Sequence, residues 1–168
     1  GRMVYNGKPT QNWLDKEDTA SPTVTLEGIF LTCIVDIKEK CDVMSNDVPN
    51  AFIQAIIPNE NREERIIMKI TGVIVDLLLE MSPEVYSEHV IMEKGEKVLY
   101  VQVVRALYGM LIAALLWYKK FKEDLEEIGF VFNPYDPCVA NWLVNGKQHT
   151  VRFHVDDLLS SHVDPSVN

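Results

Sequence analysis

The chain is poor in cysteine, poor in basic residues, and holds no apolar run long enough to cross a bilayer. Its three cysteines, Cys33, Cys41 and Cys138, stand apart with no Cys-x-x-Cys spacing. That excludes a secreted disulfide framework and a zinc knuckle, and leaves core thiols in a reducing compartment. The longest apolar stretches, Ile29 to Val35 and Val73 to Leu79, fall well short of the about 20 residues a spanning helix needs, and the second contains Asp76. No charged-then-apolar leader pattern is present. A soluble, unexported, intracellular protein with no membrane partner is expected. Repeats, low-complexity tracts and linkers are missing too, so 168 residues, 47% of them apolar, are expected to form one domain with a real core.

The shortage of basic residues bears on function. Sixteen Lys and Arg against 25 Asp and Glu leave a net charge of −9. This opposes nucleic-acid binding, because phosphate contacts draw on Lys and Arg. Distribution tempers the objection: acids crowd Glu60 to Glu64 and Glu123 to Glu127, whereas Lys119, Lys120 and Lys122 stand together. A metal-dependent enzyme also concentrates acids locally.

What is present reads as alternating helices and strands. Ser21-Pro22-Thr23 with Glu27 marks a helix start, and the apolar positions Phe30, Cys33, Ile34 and Ile37 carry the helix to about Ile37. The stretch Cys41 to Met44 reads as a strand that delivers Asp47, and Phe52 to Ile57 as one helical turn ended by Pro58. Arg65 to Ile70 reads as a strand and Val73 to Met81 as a helix, followed by a hairpin over His89 to Val103 that turns at Glu93-Lys94-Gly95-Glu96. Trp117, Phe121, Leu125 and Ile128 are spaced for one face of a helix, with Gly129 as its stop. Asn145-Gly146 predicts a two-residue turn between strands Val139 to Val144 and Gln148 to Phe153.

The second hairpin strand runs into His154-Val155-Asp156-Asp157, a pair of adjacent acids. Side chains alternate along a strand, so Asp156 and Asp157 face opposite ways unless the chain turns there. On an unbroken strand Asp156 shares a face with His154 and serves as the primary ligand. A Val-Asp-Asp triplet alone reads equally well as a solvated loop.

Taken together, four strings are more specific: Asp47-Val48-x-x-Ala51-Phe52; Leu107-Tyr108-Gly109 leading to Trp117-Tyr118; Tyr135-Asp136-Pro137-Cys138; and Val155-Asp156-Asp157. In this order they resemble the reverse transcriptase of copia-type LTR retrotransposons, over about Trp13 to Leu159. The resemblance implies an α+β fold, the palm and partial fingers of a right-hand polymerase, with an antiparallel sheet backed by helices. It implies an RNA-directed DNA polymerase, in which Asp47 and Asp156 hold two Mg²⁺ ions (or Mn²⁺) and Asp157 completes the catalytic triad. Such ions favour oxygen ligands and stabilise both the attacking and leaving oxygens of an in-line displacement. Phe52 matches the aromatic that lies under the sugar of the incoming nucleotide and excludes a 2′-hydroxyl. Tyr108 and Gly109 border the same pocket, and Arg2 matches a fingers arginine on the triphosphate. The implied partners are an RNA or DNA template with its primer, deoxynucleoside triphosphates and the rest of a Pol polyprotein, in a cytoplasmic virus-like particle. On this reading residues 1–168 are a fingers and palm fragment without primer grip, thumb or RNase H domain. Loss of their phosphate contacts weakens primer-template binding steeply.

The chain also departs from the family pattern. Leu111-Ile112 and Ala114-Leu115 replace a Lys-Gln and a Pro-Arg pair, and His154 stands where Tyr is usual. Two other classes therefore stay open. One is a metal-dependent hydrolase built on His154, Asp156 and His162; the other is a domesticated, non-enzymatic interaction domain. Three structural expectations follow from the polymerase reading. Asp47 and Asp156 come together, the Asn145-Gly146 hairpin carries Phe153 to Asp156, and Phe52 lies partly exposed beside the acids.

Overall fold

A computed structural model describes residues 4–12, 14, 19–58 and 65–168; Arg2, expected to contact triphosphate, lies outside them. In chain order the elements are α1 (Leu26–Glu39), β1 (Asp42–Asp47), α2 (Ala51–Gln54), β2 (Ile67–Thr71), α3 (Val73–Met81), α4 (Pro83–Tyr86), β3 (Val90–Glu93), β4 (Glu96–Gln102), α5 (Ala113–Glu127), β5 (Val131–Phe132), β6 (Val139–Val144), β7 (Lys147–His154) and β8 (Asp157–His162). They fall into two compact units, residues 1–56 with 106–168, and residues 57–105. The fold is α+β with antiparallel sheets and helices.

The first unit is built on a five-stranded antiparallel sheet in the order β1-β8-β7-β6-β5. The β6–β7 turn is the expected one: Asn145 and Gly146 sit at φ 52° and 74°, the positive pair that a two-residue type I′ turn demands. Residues 149–153 of β7 are all buried, because helices cover both faces of the strand. On one face Phe153 meets Phe121 of α5 edge to face at 5.0 Å, within a cluster of Leu125, Phe130, Cys138, Ala140 and Val151. On the other face the Arg152 guanidinium pairs with Asp36 of α1 at 2.8 Å, both side chains buried.

Several boundaries differ from the sequence reading: the turn expected over Phe52 to Ile57 is α2, Ala51–Gln54, and the strand expected over Cys41 to Met44 runs over Asp42–Asp47. Helix α1 starts later, with Thr25 as its cap, because the Thr25 hydroxyl accepts the Gly28 N–H at 2.9 Å and no bond of that kind holds Ser21. Helix α5 begins at Ala113, four residues before Trp117. The segment after the acids, to which the sequence reading assigned no element, is strand β8, paired to β1 and β7 with Ser160, Ser161 and His162 buried. Buried polar groups are tolerated when hydrogen-bonded. Ser160 Oγ donates to Asn168 and shares a bond with His149 Nε2, and the His162 ring accepts the Asp164 N–H.

The second unit is a three-stranded antiparallel sheet, β2-β4-β3, with α3 and α4. Its tight turn has Lys94 and Gly95 at φ 50° and 85°. Val75, Val98 and Leu99 form its buried centre. The ion pairs Lys69–Glu93 and Lys97–Asp76 lie at its surface and add little stability.

Candidate active site

Between β7 and β8 the chain reverses over two residues, Val155 and Asp156. Val155 sits at φ 61°. For a β-branched residue that is a strained conformation, costing on the order of 1–3 kcal/mol, and it persists only when neighbours over-determine it. Two contacts do so. The buried Trp117 indole of α5 donates to the Val155 carbonyl at 2.7 Å, and the Val48 N–H donates to the Asp156 carbonyl at 3.1 Å.

This turn revises the expected facing of the two acids. Because the strand does not continue through Asp156, it is Asp157 that stands in register with both His154 on β7 and Asp47 on β1. Directly paired residues of an antiparallel ladder project on the same face. Asp47 and Asp157 are therefore side by side and exposed, with half-buried Asp156 one residue away in the turn. A backbone bond, Val48 N–H to the Asp156 carbonyl, ties the segment that follows Asp47 to the turn. Like charges set opposite one another repel by a few tenths to about 1 kcal/mol. Among the described residues none of the three acids has a basic partner within ion-pair distance. Nor does any group of three His, Cys, Asp or Glu converge into a preformed metal-holding cluster among those residues.

Past Asp47 the chain enters α2, with Asn50 at φ 55° before its first residue. Phe52 is half-buried, and its ring lies 4.7 Å from that of Tyr108. Tyr108 and Gly109 form a turn closed by the Met110 N–H to Leu107 carbonyl bond. Gly109, at φ 92°, permits a close backbone crossing: a Cβ there would collide with the Tyr5 carbonyl, while the Tyr5 N–H donates to the Tyr108 carbonyl at 2.7 Å. A cavity of about 240 Å³ opens beside Asp157, lined also by Val24, Ile29, Ser45, His154 and Leu158 among others.

The alternative constellation does not assemble. His162 lies at the far end of β8, five residues from Asp157, a span of about 17 Å at the usual rise per residue. Two of the three clustered lysines of α5 have acidic partners on the same helix: Lys120 pairs with Asp124 at 2.5 Å and Lys122 with Glu126 at 3.7 Å. The Cys138 thiol is pushed up to about 12, by burial first and by Asp136 second, and is inert as a nucleophile.

Sequence reasoning missed two positioning groups. One is Trp117. The other is Asp136, whose carboxylate accepts the Thr25 N–H and hydroxyl and the Cys138 N–H at 2.8–3.0 Å, tying the start of α1 to the loop before β6. Both lie inside strings noted for their resemblance, yet nothing local in the sequence discloses their partners. Scans of the chain against protein-family models, curated proteins and solved structures found no match. Among the described residues no helix is long and apolar enough to cross a membrane.

Proposed function

We propose that the chain is the catalytic part of a metal-dependent nucleotidyltransferase, an RNA-directed DNA polymerase of the copia reverse-transcriptase kind. The observation that carries this reading is the pairing of Asp47 with Asp157 beside the strained turn that bears Asp156. The Phe52–Tyr108 aromatic pair, a few residues past Asp47, supports it.

The donor set suits a hard divalent cation. Mg²⁺ usually binds through one or two carboxylates and keeps its other positions for water and substrate phosphates, so two facing acids without a closed cluster fit it. Asp47 and Asp157 would hold the cations, with Asp156 approaching from the turn; Mn²⁺ takes the same donors. When bound, such ions supply charge neutralisation to an in-line attack of a primer 3′-hydroxyl on a triphosphate. The residues themselves position: the β1–β8 register sets the spacing of the acids, and the Phe52 ring, braced by Tyr108, offers a flat support for a sugar. His154 stands exposed in the same row as Asp157.

Mn²⁺ titration of the chain, followed by electron paramagnetic resonance, tests the reading. Asp47→Asn and Asp157→Asn are expected each to weaken binding by about tenfold or more, with unchanged melting temperature and with loss of any primer extension on an RNA template. Equal affinity in wild type and both variants refutes the assignment.

A second reading, an interaction domain that has kept the fold without the chemistry, is favoured by one observation. Leu26, Phe30, Ile34 and Ile37 form an exposed apolar stripe along α1. It predicts no carboxylate-dependent metal binding.

A further inference from the structure

We infer that Trp117 is a positioning residue for the acid-bearing turn, holding the Val155 peptide in a strained orientation that sets where Asp156 and Asp157 point. The inference rests on reading that turn as a metal site.

Trp117 is 2% exposed, deep in the first unit, and stacks on Phe121 at 5.2 Å. Packing of that kind fills space and requires no polar edge. The indole N–H is nevertheless aimed at one atom, the Val155 carbonyl, at 2.7 Å. The next carbonyl, of Asp156, is held by the Val48 N–H. Each peptide of the turn is thus tied to a different element, one to α5 and one to the segment leaving β1.

Val155 is a poor residue for a positive φ, since its branched Cβ crowds the backbone there. Left alone, a turn with this residue relaxes by rotating the Val155–Asp156 peptide, and that rotation re-aims the Asp156 side chain. The Trp117 bond opposes it. Glycine at 155 would adopt the same φ without crowding, so it should make the bond unnecessary. A Trp117 that merely packs would leave no such dependence on residue 155.

The test uses the whole chain as wild type, Trp117→Phe, Val155→Gly and the double variant, with two readouts. The first is hydrogen exchange of the Val48 amide, whose bond to Asp156 reports turn geometry without any metal. Trp117→Phe is expected to lower its protection by about five- to tenfold, and Val155→Gly to restore it in the double variant. The second is Mn²⁺ affinity, expected to fall about tenfold in Trp117→Phe and to recover in the double variant although the melting temperature does not. Unchanged Val48 protection in Trp117→Phe overturns the clamp. A loss that Val155→Gly fails to restore assigns Trp117 to packing and overturns it equally. If Val48 protection falls and recovers while Mn²⁺ affinity is indifferent to Asp47→Asn, the clamp stands as a property of the turn. The metal-site reading, and with it the positioning role, then fails.

Discussion

Truncating Arg152 should be among the most damaging single changes in the first unit. Its guanidinium, 3% exposed, reaches from the centre of β7 to the Asp36 carboxylate of α1, 8% exposed, at 2.8 Å. Neither charge has much water, and among the described residues the Arg152 Nε has no hydrogen-bond partner. A pair of this kind gains Coulomb energy roughly equal to what its desolvation costs, so its net contribution is small. Removing one member is a different matter, because the survivor stays buried and uncompensated at a cost of about 3–5 kcal/mol. Arg152→Met keeps the apolar stem and is expected to cost about 3 kcal/mol, a large share of the 5–15 kcal/mol typical of a domain. Asp36→Leu strands the guanidinium and should cost about as much. Together they remove both charges, and the double variant should lie within about 1 kcal/mol of wild type. Urea unfolding followed by tryptophan fluorescence suits the measurement, since Trp117 and Trp142 both belong to this unit. Two units can unfold separately, so a whole-chain signal such as circular dichroism would mix them. A loss below about 1 kcal/mol for Arg152→Met, or a double variant no more stable than the singles, would show that the site is wet or plastic and that the desolvation argument fails.

Other perturbations separate the remaining claims. On the proposed polymerase function, in which the Phe52 ring would meet a 2′-hydroxyl, Phe52→Val in a polymerase containing this unit should raise incorporation of ribonucleotides relative to deoxyribonucleotides; unchanged discrimination with intact folding makes Phe52 a packing residue. His149 is held below the usual histidine range by burial and, secondarily, by His162. The unfolded chain therefore takes up the proton first, so stability is full above about pH 6.5 and declines as pH falls below it; His149→Phe should flatten the melting temperature between pH 7.5 and 5.5, about one unit either side of that value, and an unaltered slope would exonerate His149. Asp136→Ala strands the Thr25 and Cys138 amides and should cost about 2–4 kcal/mol in thermal melting. An effect of a few tenths would mean that water replaces the carboxylate.

Much of the local structure was legible without coordinates. Asn145-Gly146 specified its own turn because few residues tolerate two successive positive φ angles. Helix α3 spans Val73–Met81 as read, since apolar spacing and the Ser82-Pro83 stop both act within a few residues. The start of α1 was misplaced because Ser21-Pro22 is as good a local signal as Thr25. What decides between them is Asp136, 111 residues away, which fixes Thr25 in the cap.

For the candidate site the division is sharper. The acids, the aromatic residue after Asp47 and the order of the motifs are properties of the chain alone, and so is the net negative charge that makes a cation welcome. Which acid faces Asp47 is not. That follows from the two-residue reversal at Val155-Asp156, which puts Asp157 opposite Asp47, and from the Trp117 bond that holds the reversal in a conformation Val155 does not favour. The burial of Ser160, Ser161 and His162 and the union of Asp36 with Arg152 across 116 residues likewise belong to the folded state. Backbone preferences act over a few residues and can be read from composition and spacing. Strand register and buried charge pairs are settled by which distant segments share one core, and only the folded chain makes that choice.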